Sequence, residues 1–83
     1  MMSKKDYSIK FYKAIMTTTN QEEYKFYLAS RSIWDAHQYV ENYVRNHSSK
    51  YHLYDDENDI DDISLTEVSL ENYGKSYGYE IIN

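Results

Sequence analysis

The densest group of chemically active side chains in the sequence is an acidic run over residues 55–62. It holds six carboxylates in eight residues, Asp55, Asp56, Glu57, Asp59, Asp61 and Asp62. An EF-hand calcium loop needs Gly at its sixth position and Glu at its twelfth, and counting from Asp55 these are Ile60 and Thr66. The run is therefore either a solvated loop kept extended by self-repulsion, or a surface that imitates nucleic-acid phosphates and pairs with a basic groove on a partner.

Patterns for catalysis and metal binding are weak in the rest of the chain. His37 and His47 are ten residues apart and so lack the i, i+4 spacing of helical metal ligands, although His47 and His52 flank a connection and could approach each other. Asp35 and His37 point in different directions on a helix, and no nucleophile-elbow, P-loop or zinc-protease motif occurs. We predict a protein that is not an enzyme, with no catalytic residue, metal or cofactor.

A second candidate interface combines cations with aromatic rings. If two alternating segments form a hairpin that buries one face, the opposite face would show Lys10, Tyr12, Lys25 and Tyr27. Cations beside exposed rings on an open sheet are suited to stacking on single-stranded bases. Lys and Tyr are also ordinary residues on exposed strands, and no aromatic RNA-binding motif accompanies them. Binding to nucleic acid is therefore the alternative hypothesis.

Three further aromatic residues are candidate anchors for a protein partner. Trp34 projects from the flank of a predicted helix, where it either covers the edge of the sheet or stays exposed at an interface, and Tyr39 lies on the opposite flank. Tyr54 faces outward on a predicted strand. Trp and Tyr supply a large share of the binding energy at protein interfaces when they are exposed in the free protein.

The elements that position these residues follow from hydrophobic periodicity. Period-two alternation predicts strands over 7–16, 24–29, 50–54 and 79–82, with a hairpin joining the first two and Tyr7, Ile9, Phe11, Tyr24, Phe26 and Leu28 facing inward. An irregularity is expected near Ala14. A stripe at spacings of three and four predicts a helix over 32–46, capped by Ser32. The expected fold is α+β, in the order β-β-α-β-β, with one antiparallel sheet and one helix packed on one face.

The segment that follows the acidic run is ambiguous. Ile63 and Leu65 share one parity, while Val68 and Leu70 share the other. A continuous strand would therefore need a bulge near residues 66–67, and a short helix over 59–65 is the competing prediction. Gly74 and Gly78 indicate a turn before the last strand.

Composition limits the class of protein. The 83 residues contain no Cys and eleven Tyr, and Ile, Leu, Val and Phe are so few that Tyr must contribute to the core. We predict one domain over 1–83, with residues 1–5 disordered and 55–62 a loop. No signal peptide or membrane span is apparent, so a cytoplasmic protein with no membrane partner is expected.

Charge is divided unevenly along the sequence. Residues 1–50 hold eight basic and five acidic side chains, a net charge of +3, whereas residues 51–83 hold one basic and nine acidic side chains, a net charge of −8. This division suggests surfaces with different electrostatic roles.

The run over residues 24–30, followed by Ile33-Trp34-Asp35-Ala36 and Tyr39-Val40, resembles the strand-to-helix step of short bacteriophage accessory proteins. The run over residues 59–65 is similar in style. Short, acidic, Tyr-rich chains also resemble phage anti-restriction, anti-CRISPR and antitoxin-like inhibitors. The resemblance implies a non-enzymatic inhibitor or modulator that binds a host protein with a basic surface, in the host cytoplasm. The alternatives are the nucleic-acid-binding module and a structural phage component that forms homo-oligomers.

Overall fold

A computed structural model describes residues 8–54 and 59–83 of the chain. These residues form a four-stranded mixed sheet and one α-helix. The elements are β1 (Lys10–Thr18), β2 (Glu23–Ser30), α1 (Ile33–Asn46), β3 (Ile60–Val68) and β4 (Glu80–Ile81), with a 3-10 turn at Leu70–Asn72. The strand order is β3-β1-β2-β4. The predicted α+β class is confirmed. The expected disorder of residues 1–5 concerns residues outside the described ranges.

Local signals in the sequence explain the hairpin and the helix. β1 and β2 pair antiparallel, as predicted. The Ser32 hydroxyl caps α1 by accepting a hydrogen bond from the Asp35 N–H at 3.1 Å, which satisfies one of the free donors in the first turn. Ala36, Val40 and Val44 form the buried stripe of α1, at the spacing expected for an amphipathic helix.

The predicted inward side of β1 is wrong. Tyr12, Ala14 and Met16 face the helix and are buried, whereas Ile9 is exposed and Phe11 packs on the opposite face against Tyr73, with ring centroids 4.7 Å apart. Alternation fixes which residues share a face but not which face a later segment will cover. The expected irregularity near residue 14 is absent from the β1–β2 ladder, whose register is continuous over 10–17.

The predicted strand over 50–54 is also wrong, because this segment is a series of turns. Tyr51 N–H and Leu53 N–H both donate to the carbonyl of Ser48, at 3.2 Å and 2.8 Å, and His52 has a left-handed φ of 59°. Tyr51 and Leu53 are nevertheless buried. The alternation of apolar and polar residues over 50–54 therefore results from the burial of Tyr51 and Leu53 and not from pairing in the sheet.

β3 is one strand over 60–68, with neither the helix nor the bulge at 66–67 that the sequence left open. Its irregularity lies earlier, where Thr17 pairs with Asp62 and Thr18 pairs with Ile60, leaving Asp61 without a partner in the register. The extra residue changes the parity of the alternation, so Ile60 before it and Ile63 and Leu65 after it all pack against the core. Ile63 and Leu65 face the helix as a result, opposite Met16 and Ala14.

A segment after β3 crosses the sheet face that the helix leaves open. β3 and β4 lie at opposite edges, and β4 pairs parallel with β2 at Phe26 and Tyr27, so the sheet is mixed and not wholly antiparallel as predicted. The ring of Tyr27 lies 5.2 Å from that of Tyr73 and 4.7 Å from that of Tyr79. Both faces of β2 are therefore covered, and Phe26, Tyr27 and Leu28 are all buried.

Candidate functional site

An apolar groove lies between the first turns of α1 and the outer strand β3. Its volume is about 380 Å³, and its walls are Ile33, Trp34, His37, Ile63 and Leu65. Ile33 and His37 are four residues apart and share one side of the helix, while Ile63 and Leu65 share one face of β3. Two elements therefore fix the groove, the capped helix and the part of β3 whose register with β1 is continuous.

Trp34 is the most accessible of the large groove residues, with 81% of its surface exposed. The alternative in which it covers the edge of the sheet does not occur. The cap at Ser32 places Trp34 in the first turn of α1, where its ring forms one lip of the groove. A ring of this size left in water carries a large apolar area that a partner can bury.

The other two predicted aromatic anchors are exposed but lie away from the groove lining. Tyr54 is 75% exposed, and its ring centroid is 6.4 Å from that of His52. Tyr39 is 40% exposed, donates to the Ile82 carbonyl at 3.0 Å and lines a separate hollow with Tyr43. The structure therefore brings Trp34 to the groove and distributes the other two over the surface.

The acidic residues that the structure describes belong largely to β3. Asp61 and Asp62 are exposed residues of the strand itself, and Glu67 is exposed near its end, so residues 61–62 are not part of a loop as predicted. Asp59 immediately precedes the strand, and its carbonyl accepts from the Thr19 N–H at 2.9 Å. The predicted site residues Asp55, Asp56 and Glu57 lie outside the described residues.

β3 itself and the residues that follow it carry no positive charge up to residue 74. The sequence contains no Lys or Arg from residue 51 to residue 74. The ion pairs Arg45–Glu41, Lys50–Glu80 and His52–Glu22 lie in other parts of the described chain, and Asp61, Asp62 and Glu67 are exposed. The outer strand therefore presents carboxylates to solvent beside an apolar groove.

The predicted nucleic-acid face does not exist as a set. Lys10 and Tyr12 pair with Ser30 and Leu28 on the helix side of the sheet, whereas Lys25 and Tyr27 lie on the opposite side. Tyr12 and Tyr27 are both buried. Two cations instead flank a different ring, since Lys13 Nζ and Lys25 Nζ lie 5.3 Å and 5.7 Å from the centre of Tyr79.

Two polar clusters lie outside the groove. The Glu80 carboxylate accepts hydrogen bonds at 2.8 Å from both Lys50 Nζ and the Tyr51 hydroxyl. Glu22 accepts from the Tyr24 hydroxyl at 2.8 Å and lies 3.1 Å from His52 Nδ1.

Hydrogen bonding and burial shift the acidity of these groups. The bonds from Tyr24 and then His52 hold the pKa of the Glu22 carboxyl below its ordinary value. Burial and the bond to Glu22 raise the pKa of Tyr24 to about 12. His52 Nδ1 contacts the Glu22 carboxylate at 3.1 Å and the Tyr24 hydroxyl at 3.2 Å, and its ring lies beside that of Tyr54.

Among the described residues, no three His, Asp or Glu side chains lie close enough together to hold a metal ion. None of the helices in those same ranges is long and apolar enough to cross a membrane.

The groove is not predictable from the sequence, although two of its parts are. Trp34 is a predicted anchor, and Ile63 and Leu65 share one parity. The pairing of β3 with β1 brings β3 under the helix. No local pattern in the sequence predicts this long-range contact. A scan against protein-family models, a search of curated proteins and a search of solved structures each found no match for this chain.

Proposed function

We propose that the chain is a non-enzymatic protein-binding inhibitor or modulator, encoded by a bacteriophage, that acts on a host nucleic-acid-handling or defence enzyme. The observation that carries this proposal is Trp34, which is 81% exposed at the lip of an apolar groove next to the acidic strand β3. The partner is a host protein with a basic surface, and neither metal nor cofactor takes part.

The two parts of the surface have different roles in binding. An exposed Trp beside a groove is the kind of residue that contributes most to affinity, because its ring loses its hydration when the partner covers it. Carboxylates such as Asp61, Asp62 and Glu67 increase the association rate and select for a basic partner, and salt weakens their effect. Asp59 extends the same acidic strip at the start of β3.

The proposal is tested by capture of a partner from a bacterial lysate with a tag placed ahead of residue 1. Wild-type protein is compared with Trp34→Ala and with a triple variant, Asp61→Asn, Asp62→Asn and Glu67→Gln. We expect each to reduce the affinity for the recovered partner by at least about tenfold, equivalent to about 1.4 kcal/mol. Binding of the wild type should also weaken as salt rises, and this salt dependence should be reduced in the triple variant.

Matched controls are available on other surfaces. Tyr77→Ala removes a fully exposed ring, and a triple change of Glu23, Glu41 and Glu71 to Gln removes the same number of charges. Both controls should retain the partner. If these controls lose as much affinity as the test variants, or if Trp34→Ala loses none, the proposed surface is wrong.

A nucleic-acid-binding module remains the second candidate, supported now by a different set of residues. Lys13 and Lys25 flank the ring of Tyr79 on the sheet face away from the helix, which is a small platform for a base. Filter binding of single-stranded oligonucleotides at low salt distinguishes the two candidates. Retention that is lost in a Lys13→Gln, Lys25→Gln variant and unaffected by Trp34→Ala would favour the module.

A further inference from the structure

The outer edge of β3 is long, and its register with β1 is continuous from Asp62 to Val68, with the one irregularity at Asp61. β3 has nine residues and pairs with β1 along one side, and no strand in the described part of the chain pairs with its other side. The free N–H and C=O groups of such an edge can hydrogen-bond another extended chain, and this is how many proteins bind peptide segments.

The groove makes this edge selective. Ile63 and Leu65 point to the helix side of the sheet and form one wall, and Ile33, Trp34 and His37 of α1 form the other. A strand added beside β3 would direct alternate side chains to that same side. Two apolar side chains of an added strand would therefore enter the groove at the level of Ile63 and Leu65.

The charges on β3 argue against a second copy of this chain as the occupant. Antiparallel pairing of β3 with its own copy around Ser64 aligns all nine residues and places Asp61 opposite Glu67 twice. Like charges directly opposite each other across two strands are destabilising. The same carboxylates would attract a strand that carries Lys or Arg at those two positions.

We propose that the partner adds an extended segment to the free edge of β3 as a fifth strand, an inference that rests on the proposed function. The segment has basic, apolar, apolar and basic residues at alternate positions, which lie beside Asp61, Ile63, Leu65 and Glu67 respectively. Seven residues suffice, because the seven positions from Asp61 to Glu67 are separated by six intervals of about 3.3 Å, or about 20 Å in all.

The test uses the full-length protein, labelled with nitrogen-15, and a synthetic seven-residue peptide. The peptide has the order lysine, threonine, valine, threonine, valine, threonine, lysine, with blocked ends. We expect shifts of the β3 amide signals and of the Trp34 indole N–H at peptide concentrations up to about 1 mM. Absence of shifts, or shifts confined to residues around Tyr79, would overturn the proposal.

Two further comparisons separate strand addition from general electrostatic attraction. In one, alternate backbone nitrogens of the peptide are methylated, in two complementary sets. One set removes the N–H groups that face β3 and should weaken binding at least about tenfold, while the other should bind as the parent peptide does. An equal effect of the two sets, whether no loss or the same loss, would contradict a fifth strand.

The other comparison reverses the charges. A variant with Asp61→Lys and Glu67→Lys should prefer a peptide with glutamate at both ends over the lysine peptide by roughly tenfold, opposite to the wild type. Both changes are at exposed positions, and circular dichroism checks that the variant folds. A Glu71→Lys control should keep the wild-type preference. An unchanged preference in the double variant rejects the assignment of the flanking positions.

Failure here is distinguishable from failure of the proposed function. If the peptide does not bind β3 but the lysate partner still depends on Trp34, the surface is a protein interface that works without strand addition. If the partner is insensitive to Trp34 and the acidic residues, the proposed function itself fails, whatever the peptide does.

Discussion

Tyrosine side chains explain how a sequence poor in aliphatic residues builds a core. Each buried ring brings a hydroxyl that needs a hydrogen-bond partner, and the structure supplies one at several positions. Tyr51 donates to Glu80, Tyr24 donates to Glu22, and Tyr27 accepts from the Ser76 N–H at 3.2 Å. No side-chain nitrogen or oxygen buried in the described ranges lacks a partner. The polar tips thus tie turns and edge strands to the core.

The contacts of Glu80 predict that stability depends on pH. Burial acts to raise the pKa of its carboxyl, but the hydrogen bonds from Lys50 and Tyr51 outweigh burial, and the pKa lies below its ordinary value of 4.5. A carboxyl with a lowered pKa in the folded state stabilises it above pH 4.5, and this contribution is lost as pH falls through the lowered pKa. We therefore expect the difference in unfolding free energy between wild type and Glu80→Gln to shrink from pH 7 to pH 3.

Urea denaturation at the two pH values measures this difference, with Glu71→Gln as a control for removing an exposed carboxylate outside the cluster. A wild-type advantage over Glu80→Gln that is as large at pH 3 as at pH 7 would show that the charged form of Glu80 does not stabilise the fold.

At the scale of elements, the sequence was informative where the signal is local. Ser32 and the stripe of Ala36, Val40 and Val44 predict α1 almost to the residue, because a cap and a 3.6-residue period are properties of one short segment. The position of β3 beside β1 and of β4 beside β2 was not predictable in this way. These contacts join residues about fifty positions apart, and period-two alternation does not identify a strand's neighbour.

β4 is short, and the side chain of Asn83 continues its hydrogen bonding to β2. Only Glu80 and Ile81 pair with β2 in the register, but the Asn83 side chain continues the ladder. Its Oδ1 accepts from the Ala29 N–H at 2.8 Å and its Nδ2 donates to the Ala29 carbonyl at 2.7 Å. An amide side chain thereby reproduces the two bonds that a strand residue would make.

Replacement of Asn83 by Ala should therefore loosen β4 without disturbing the hairpin. We expect the Ala29 amide to exchange its hydrogen roughly fivefold faster, since a hydrogen bond of about 1 kcal/mol changes an opening equilibrium by about that factor. Amides of β1 that pair with β3, such as that of Lys13, should keep their rates. An unchanged rate at Ala29, measured by nuclear magnetic resonance, would contradict the extension.

At the scale of the whole molecule, the sheet is covered on both faces, and this explains the wrong parity of β1 and the missing Lys/Tyr face. The helix covers Tyr12 on one side, while the crossing segment covers Phe11 and Tyr27 on the other. When both faces bear rings, alternation cannot distinguish inside from outside. Among the acidic residues of the second half of the sequence, Asp61, Asp62 and Glu67 lie on the outer strand β3, whereas Glu80 lies on β4 at the opposite edge.

The second covered face carries the last prediction, at Tyr27. Its ring packs against both Tyr73 and Tyr79, so Tyr27→Ala should cost about 3–5 kcal/mol, as truncation of a buried aromatic does. A domain of this size has a total stability of about 4–12 kcal/mol, and the variant should be partly unfolded at 37 °C or melt more than 10 °C lower.

Tyr27→Phe loses only the bond from Ser76, about 1 kcal/mol. The exposed ring of Tyr77 is the control, since Tyr77→Ala should change stability by less than about 0.5 kcal/mol. Thermal denaturation compares the three variants, and a Tyr27→Ala protein as stable as Tyr77→Ala would show that the crossing segment does not pack on the sheet.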